Sequence, residues 1–124
     1  MKREILRIPE ISEGIKVILL NISKSYNAKP GEDPIYIREN VYEMTRKYWK
    51  LNKEKANLAD YTLGVANGKV VSVYKNTQWE NIEFNGSMDE RCGFVGEEVK
   101  NSPFLGLDLS LYMRCQNPVR YVNY

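Results

Sequence analysis

The residues able to carry chemistry are unusual first for what is missing among them. The 124 residues include no histidine and only two cysteines, Cys92 and Cys115, 23 positions apart and outside any CxxC pair. Without histidine the chain lacks the one side chain that titrates near neutrality, and with it the usual Ser-His and Cys-His nucleophile pairs. General acid-base work would fall to carboxylates, lysines or tyrosines whose pKa is moved by burial or by a neighbouring charge. Structural zinc takes about four thiolate or imidazole ligands and catalytic zinc about three, so two cysteines fall short. No metal or other cofactor is expected. The cysteines read as reduced, buried thiols that behave as small hydrophobes, with a disulfide as the alternative.

One carboxylate arrangement has a nuclease-like spelling: Asp89 ahead of Glu98-Val99-Lys100, the pattern with which many enzymes hold magnesium and activate water. With 16 acidic residues in the chain, an acidic-x-Lys triplet arises by chance about once, so the spacing by itself does not imply a divalent-metal site. No catalytic residue is assigned, and a carboxylate hydrolase ranks third among the readings of function.

The constellation with more to offer is basic and aromatic. Thr45-Arg46-Lys47-Tyr48-Trp49-Lys50 interleaves cations with rings, Trp79 follows further on, and Gln116-Asn117-Pro118-Val119-Arg120-Tyr121 sets an amide pair before an arginine. Recognition of single-stranded or flipped bases needs this chemistry: lysine and arginine on the phosphates, and a flat ring against a base. Arg120 is suited to a bidentate clamp on a phosphate, and Asn117 to a base edge. Arg46, Lys47, Trp49, Lys50, Trp79, Asn117 and Arg120 are therefore the candidate nucleic-acid-binding residues of a non-catalytic module whose partner is a single-stranded or modified nucleic acid. The alternative is a small-molecule or protein interaction domain, possible as a homodimer, with the rings in its core and the basic face merely solvated.

Charge along the chain is polarised. Residues 46–55 hold five basic residues against Glu54 alone, a local +4, whereas residues 80–98 hold six acids against Arg91 alone, a local −5; the overall +2 conceals both. A hydrophobic fraction of 43% beside 27% charged residues is the composition of a globular domain. The length fits one domain, residues 1–124, with residues 1–14 as a polar lead-in. The longest apolar run, Val17 to Leu20, is too short to span a bilayer, and MKREILRIPE alternates charges where a signal peptide would be apolar. A cytoplasmic location without membrane association is expected.

The elements that must position these residues are legible in part. Ile15 to Ile22 is a β-branched apolar run and reads as a buried strand. Ser23 to Glu32 has turn composition and reads as a loop. Asp33-Pro34 starts a helix, predicted over about 34–51, with Ile37, Val41, Met44 and Tyr48 as its core stripe, widened by Tyr42, Thr45 and Trp49. The sharpest local signal is Asn67-Gly68, which accepts the two positive φ values of a tight hairpin turn. A two-residue loop pairs Val65 with Val70, Gly64 with Val71, Leu63 with Ser72, Thr62 with Val73 and Tyr61 with Tyr74. Both hairpin faces are apolar or small, which predicts cover on both sides. Short strands follow at residues 81–86, at Cys92 to Val95 and at Val119 to Tyr124. Residues 107–113 fit either a strand or a short helix capped by Asp108. The fold class is α+β: a small antiparallel-rich sheet or partly closed barrel with one main helix.

The segments Leu20-Asn21-Ile22-Ser23, Tyr42 through Leu51, Ala59-Asp60-Tyr61, Gly68-Lys69-Val70-Val71-Ser72-Val73-Tyr74 with Trp79, and Gln116 through Asn123 resemble a family of small uncharacterised prokaryotic proteins. The order strand, helix, hairpin and following tryptophan over residues 15–85 is similar to PUA-like domains, the ASCH and EVE groups among them. That resemblance implies a small β-barrel that binds RNA or modified bases. The chain departs from the pattern at Lys75-Asn76-Thr77-Gln78, where apolar residues usually carry the strand on to the tryptophan.

Overall fold

The computed structural model of the chain describes residues 6–28, 40–46, 49–82, 91–113 and 118–124. The apolar run forms β1 (Val17–Asn21), followed by a one-turn helix α1 (Ser23–Tyr26) inside the stretch expected to be a loop. Then come α2 (Val41–Arg46), α3 (Lys53–Ala56), β2 (Tyr61–Ala66), β3 (Lys69–Asn81), β4 (Cys92–Glu98), a 3-10 turn at Ser110–Tyr112 and β5 (Val119–Val122). The strands make one open five-stranded sheet in the order β4-β3-β2-β1-β5. β1 and β2 run parallel and every other pair is antiparallel. A parallel pair needs a crossover, and the 39-residue stretch between Asn21 and Tyr61 supplies it, carrying α1, α2 and α3.

Both faces of the sheet are covered. On one face Val17, Leu19, Leu63, Val65, Val70, Val73 and Val122 pack against Ile8, Ile11, Phe104 and Leu109. On the other, Ile18, Leu20, Tyr74, Trp79, Phe94 and Val119 pack against Ala56, with Tyr42, Trp49, Leu51, Tyr121 and Tyr124 around them. The polar lead-in expected at the N-terminus is therefore corrected in part: Ile8 and Ile11 are 1% and 3% exposed, and Leu6 bridges Val122 beside β5. Isolated apolar residues between charges carry no periodicity, so their burial depended on the position of β5.

The hairpin turns at Asn67 (φ 53°) and Gly68 (φ 83°) as expected, but its register slips. Val65 pairs with Val70, whereas Gly64 pairs with Ser72, Leu63 with Val73 and Thr62 with Tyr74. Val71 is thus the extra residue of a β-bulge. The bulge places Val70 and Val73 on the same apolar face and leaves Ser72 and Tyr74 facing α2. A second irregularity, between Lys75 and Gln78 opposite β4, has Asn76 at φ 52°. The polar stretch Lys75–Gln78 does not end the strand: the bulge bends it and β3 continues through Trp79.

The helix expected over 34–51 is also corrected. Residues 34–39, 47 and 48 lie outside the described residues, and the helix observed is Val41–Arg46. Trp49 is extended, exchanging both backbone hydrogen bonds with Cys92 (2.9 and 2.7 Å). The face of α2 turned to the sheet is Thr45, fully buried, flanked by Tyr42, while Val41 and Met44 are only half-buried. The reason is chemical fit. Thr45 Oγ1 donates to the Val41 carbonyl at 2.7 Å, which leaves the Ser72 hydroxyl, 3.4 Å away, as donor to Thr45. Gly64 leaves room for the pair, since a Cβ there would lie 2.8 Å from Thr45 Oγ1.

Candidate nucleic-acid interface

The seven residues singled out by sequence do not converge on one cleft. Lys47 and Asn117 lie outside the described residues. Trp79 is 2% exposed and packs against Phe94, the rings tilted at 49° with their centroids 4.9 Å apart. Its backbone is clamped by Asn57, whose Oδ1 accepts from the Trp79 N–H (2.7 Å) and whose Nδ2 donates to the Trp79 carbonyl (3.1 Å). A base cannot stack on this indole unless the second core opens. Trp49 is half-buried, and its Nε1 donates to the Thr45 carbonyl at 2.7 Å. Arg46 is half-buried as well: Nε donates to the Phe94 carbonyl at 2.9 Å, and the guanidinium lies 3.4 Å from Glu43 and 5.8 Å from the centre of the Tyr42 ring. Arg120 pairs with Leu19 on the opposite face and donates to the Tyr112 carbonyl at 2.8 Å. Lys50 is exposed.

A different set of cations and rings does meet, where the Lys55 side chain of α3 reaches the tyrosines at the end of the chain. Asn52 caps α3, its side chain accepting from the Lys55 N–H at 3.0 Å. Lys55 then lays its ammonium 4.1 Å from the centre of the Tyr121 ring and 5.6 Å from that of Tyr124. The two rings are 4.9 Å apart and inclined at 62°. Lys16 sits over the Tyr124 ring at 5.7 Å. Its backbone is fixed by Asp60, whose carboxylate accepts from the Lys16 N–H at 2.8 Å.

The strand period of two would put Tyr121 and Tyr124 on opposite faces. Asn123 removes that alternation by adopting φ 64°, held there as its Nδ2 donates to the carbonyls of Ser12 and Ile15, both at 2.8 Å. Both tyrosines consequently belong to the second core. Burial pushes both phenols above the ordinary tyrosine value, so each ring is neutral at physiological pH and offers a cation its negative face. The Tyr124 hydroxyl is buried and finds no partner among the described residues.

Sequence reasoning weighted residues 46–50 and passed over Lys16, Lys53, Lys55 and Tyr124. The excess of base over 46–55 included Lys53 and Lys55, but nothing local says that the Lys55 side chain reaches Tyr121. Of the nuclease-like spelling, Asp89 is outside the described residues, and Glu98 and Lys100 are exposed. Among the described residues no cluster of three or more His, Cys, Asp or Glu is placed to hold a metal ion, and no helix is long and apolar enough to cross a membrane. Cys92 is a buried free thiol. Compared with protein-family models, curated proteins and solved structures, the chain finds no match.

Proposed function

We propose that this protein is a non-catalytic module that binds single-stranded or modified nucleic acid, and that Lys16, Lys53 and Lys55 with Tyr121 and Tyr124 form the contact surface, extended along the basic segment by Lys50. The observation that carries this reading is the ammonium of Lys55 on the ring of Tyr121, 4.1 Å away, beside a second lysine-tyrosine pair at 5.7 Å. Cations held at aromatic rings match a ligand that alternates phosphates with flat bases. A phosphate draws the lysine off the ring, and the face so uncovered is offered to a base. The PUA-like kinship suggested by the residue order belongs to the same proposal, supported by the small α+β make-up.

The test is an anisotropy titration of labelled single-stranded RNA and DNA across a salt series. Each lysine contact contributes a slope of about −0.7 in log K against log salt for a single strand. The variant Lys16→Ala/Lys53→Ala/Lys55→Ala is therefore expected to flatten the slope by about 2, whereas Arg120→Ala leaves it unchanged. Absence of binding at low salt, or a slope indifferent to the triple substitution, refutes the reading.

A further inference from the structure

The hairpin tip joins the most reactive dipeptide for spontaneous amide chemistry to an unusual restraint. Asn67 and Asn27 exchange side-chain hydrogen bonds across 40 positions of sequence: Asn27 Nδ2 donates to Asn67 Oδ1 at 2.8 Å, and Asn67 Nδ2 donates to Asn27 Oδ1 at 3.2 Å. The Asn67 backbone N–H donates to Ser23 Oγ at 2.9 Å. On the far side of the turn the Gly68 carbonyl accepts from the Leu109 N–H at 2.6 Å. The Gly68 backbone lies so close to Ser110 that an added Cβ would be 2.7 Å from that residue's Cβ. Both partners of a cyclisation, the Asn67 side-chain carbonyl carbon and the Gly68 backbone nitrogen, are thus held by contacts to separate parts of the chain, although Asn67 is exposed.

We propose that Asn67-Gly68 is a deamidation site gated by Asn27: the reciprocal amide pair keeps the tip unreactive, and its opening commits the tip to an irreversible change of charge and backbone. In the reaction, solvent hydroxide takes the Gly68 N–H proton and the nitrogen adds to Cγ of Asn67. The Cγ–Nδ2 bond breaks, and nitrogen leaves as ammonia with a proton from water. The resulting succinimide consumes one water and opens at either carbonyl, giving aspartate at position 67 or its β-linked isomer. No oxidant, metal or enzyme is involved. Glycine favours the step because it carries no side chain to obstruct its nitrogen.

The product cannot restore the pair. A carboxylate still accepts from Asn27 Nδ2 but has no proton for Asn27 Oδ1. The β-linked isomer also adds a backbone carbon to a turn whose two-residue length sets the register of β2 against β3. The tip is then released from α1.

The full chain is incubated at mildly alkaline pH, digested with trypsin and followed by mass spectrometry on the peptide covering residues 56–69, separately from the one carrying Asn85-Gly86. The readout is the small mass gain from replacing an amide NH2 by OH, with a second peak for the β-linked isomer. Wild type is expected to react slowly and Asn27→Ala at least about tenfold faster, since both reciprocal hydrogen bonds resist the opening. Asn27→Asp, which keeps an acceptor but no donor, falls between them. If circular dichroism shows Asn27→Ala unfolded, Asn27→Asp carries the test, with a rate above that of wild type expected. Equal rates in wild type and the folded variant, or a wild-type rate matching that of the urea-unfolded chain, overturn the proposal.

Discussion

Arg46 donates its Nε proton to the Phe94 carbonyl at 2.9 Å, and so joins the last turn of α2 to the outer edge of β4. That edge carries the row of backbone groups that an exposed strand offers to any other chain. Tyr42, Arg46 and Trp49 cover much of it. Trp49 takes both backbone groups of Cys92 (2.9 and 2.7 Å), Arg46 takes the Phe94 carbonyl, and the Tyr42 hydroxyl accepts from the Gly96 N–H at 3.4 Å. An arginine that reads in sequence as a phosphate ligand is here an edge cap.

Removing that cap should show in stability. Arg46→Ala is expected to cost about 1.5–3 kcal/mol, the range for a hydrogen bond from a charged donor. Arg46→Lys should restore little, because an ammonium lacks the planar fork that serves carbonyl, Glu43 and Tyr42 together. Urea denaturation measures both. A midpoint unchanged in Arg46→Ala would remove the capping role.

The same edge controls Cys92. Burial pushes its thiol above the ordinary value, so thiolate is scarce at neutral pH, and Sγ lies 3.5 Å from both the Leu51 carbonyl and Asn81 Oδ1. In a Cys115→Ser background, labelling of Cys92 should be at least about a hundredfold slower than in the urea-unfolded chain, with opening of the Trp49 bridge as the limiting step. Arg46→Ala and Tyr42→Phe should each accelerate it. Labelling as fast in the native as in the unfolded chain would contradict the closed edge.

Gly64 is where the sheet admits α2. A Cβ would meet the Ser72 hydroxyl and lie 2.8 Å from Thr45 Oγ1, so Gly64→Ala should destabilise the fold by about 1–3 kcal/mol. Adding Ser72→Ala removes one of the crowding atoms, and the double variant should cost less than the two single effects combined. Thermal melts of the four chains give the coupling; strict additivity would mean that the helix moves aside at no cost.

Alkaline pH should unfold the protein through its buried phenols. Burial raises Tyr74, Tyr121 and Tyr124 above the usual 10.0, so the folded chain holds these protons to higher pH than the unfolded chain. Their contribution is complete below pH 10.0 and is lost as pH rises above it. Tyr124→Phe deletes a buried hydroxyl without a partner among the described residues, which should stabilise the fold by about 1 kcal/mol at neutral pH and lessen the alkaline loss. Denaturation between neutral pH and pH 11, about one unit past the tyrosine reference, tests both; a less stable Tyr124→Phe would argue for a hydroxyl contact made on this face.

Local chemistry made several features legible from the amino-acid order alone. Asn67-Gly68 specifies its turn because few residues accept two positive φ values in succession, and Val17–Leu20 reads as a buried strand because the apolar run is short, partly β-branched and followed by turn residues. The sequence likewise determined the absence of histidine chemistry and the polarity of charge. Tertiary structure decided the rest. Val71 became a bulge because the polar Ser72 and Tyr74 meet Thr45 while Val70 and Val73 share the apolar core, a choice that depends on α2 lying across Gly64. Trp79 and Arg46 read as candidate nucleic-acid ligands, but Phe94, brought alongside by β4, packs against the first and accepts from the second. Lys55 and Tyr121, 66 positions apart in the sequence, became neighbours only because β1 pairs with both β2 and β5. Such contacts depend on strand order, and strand order follows from which faces can be buried together rather than from any short run of residues.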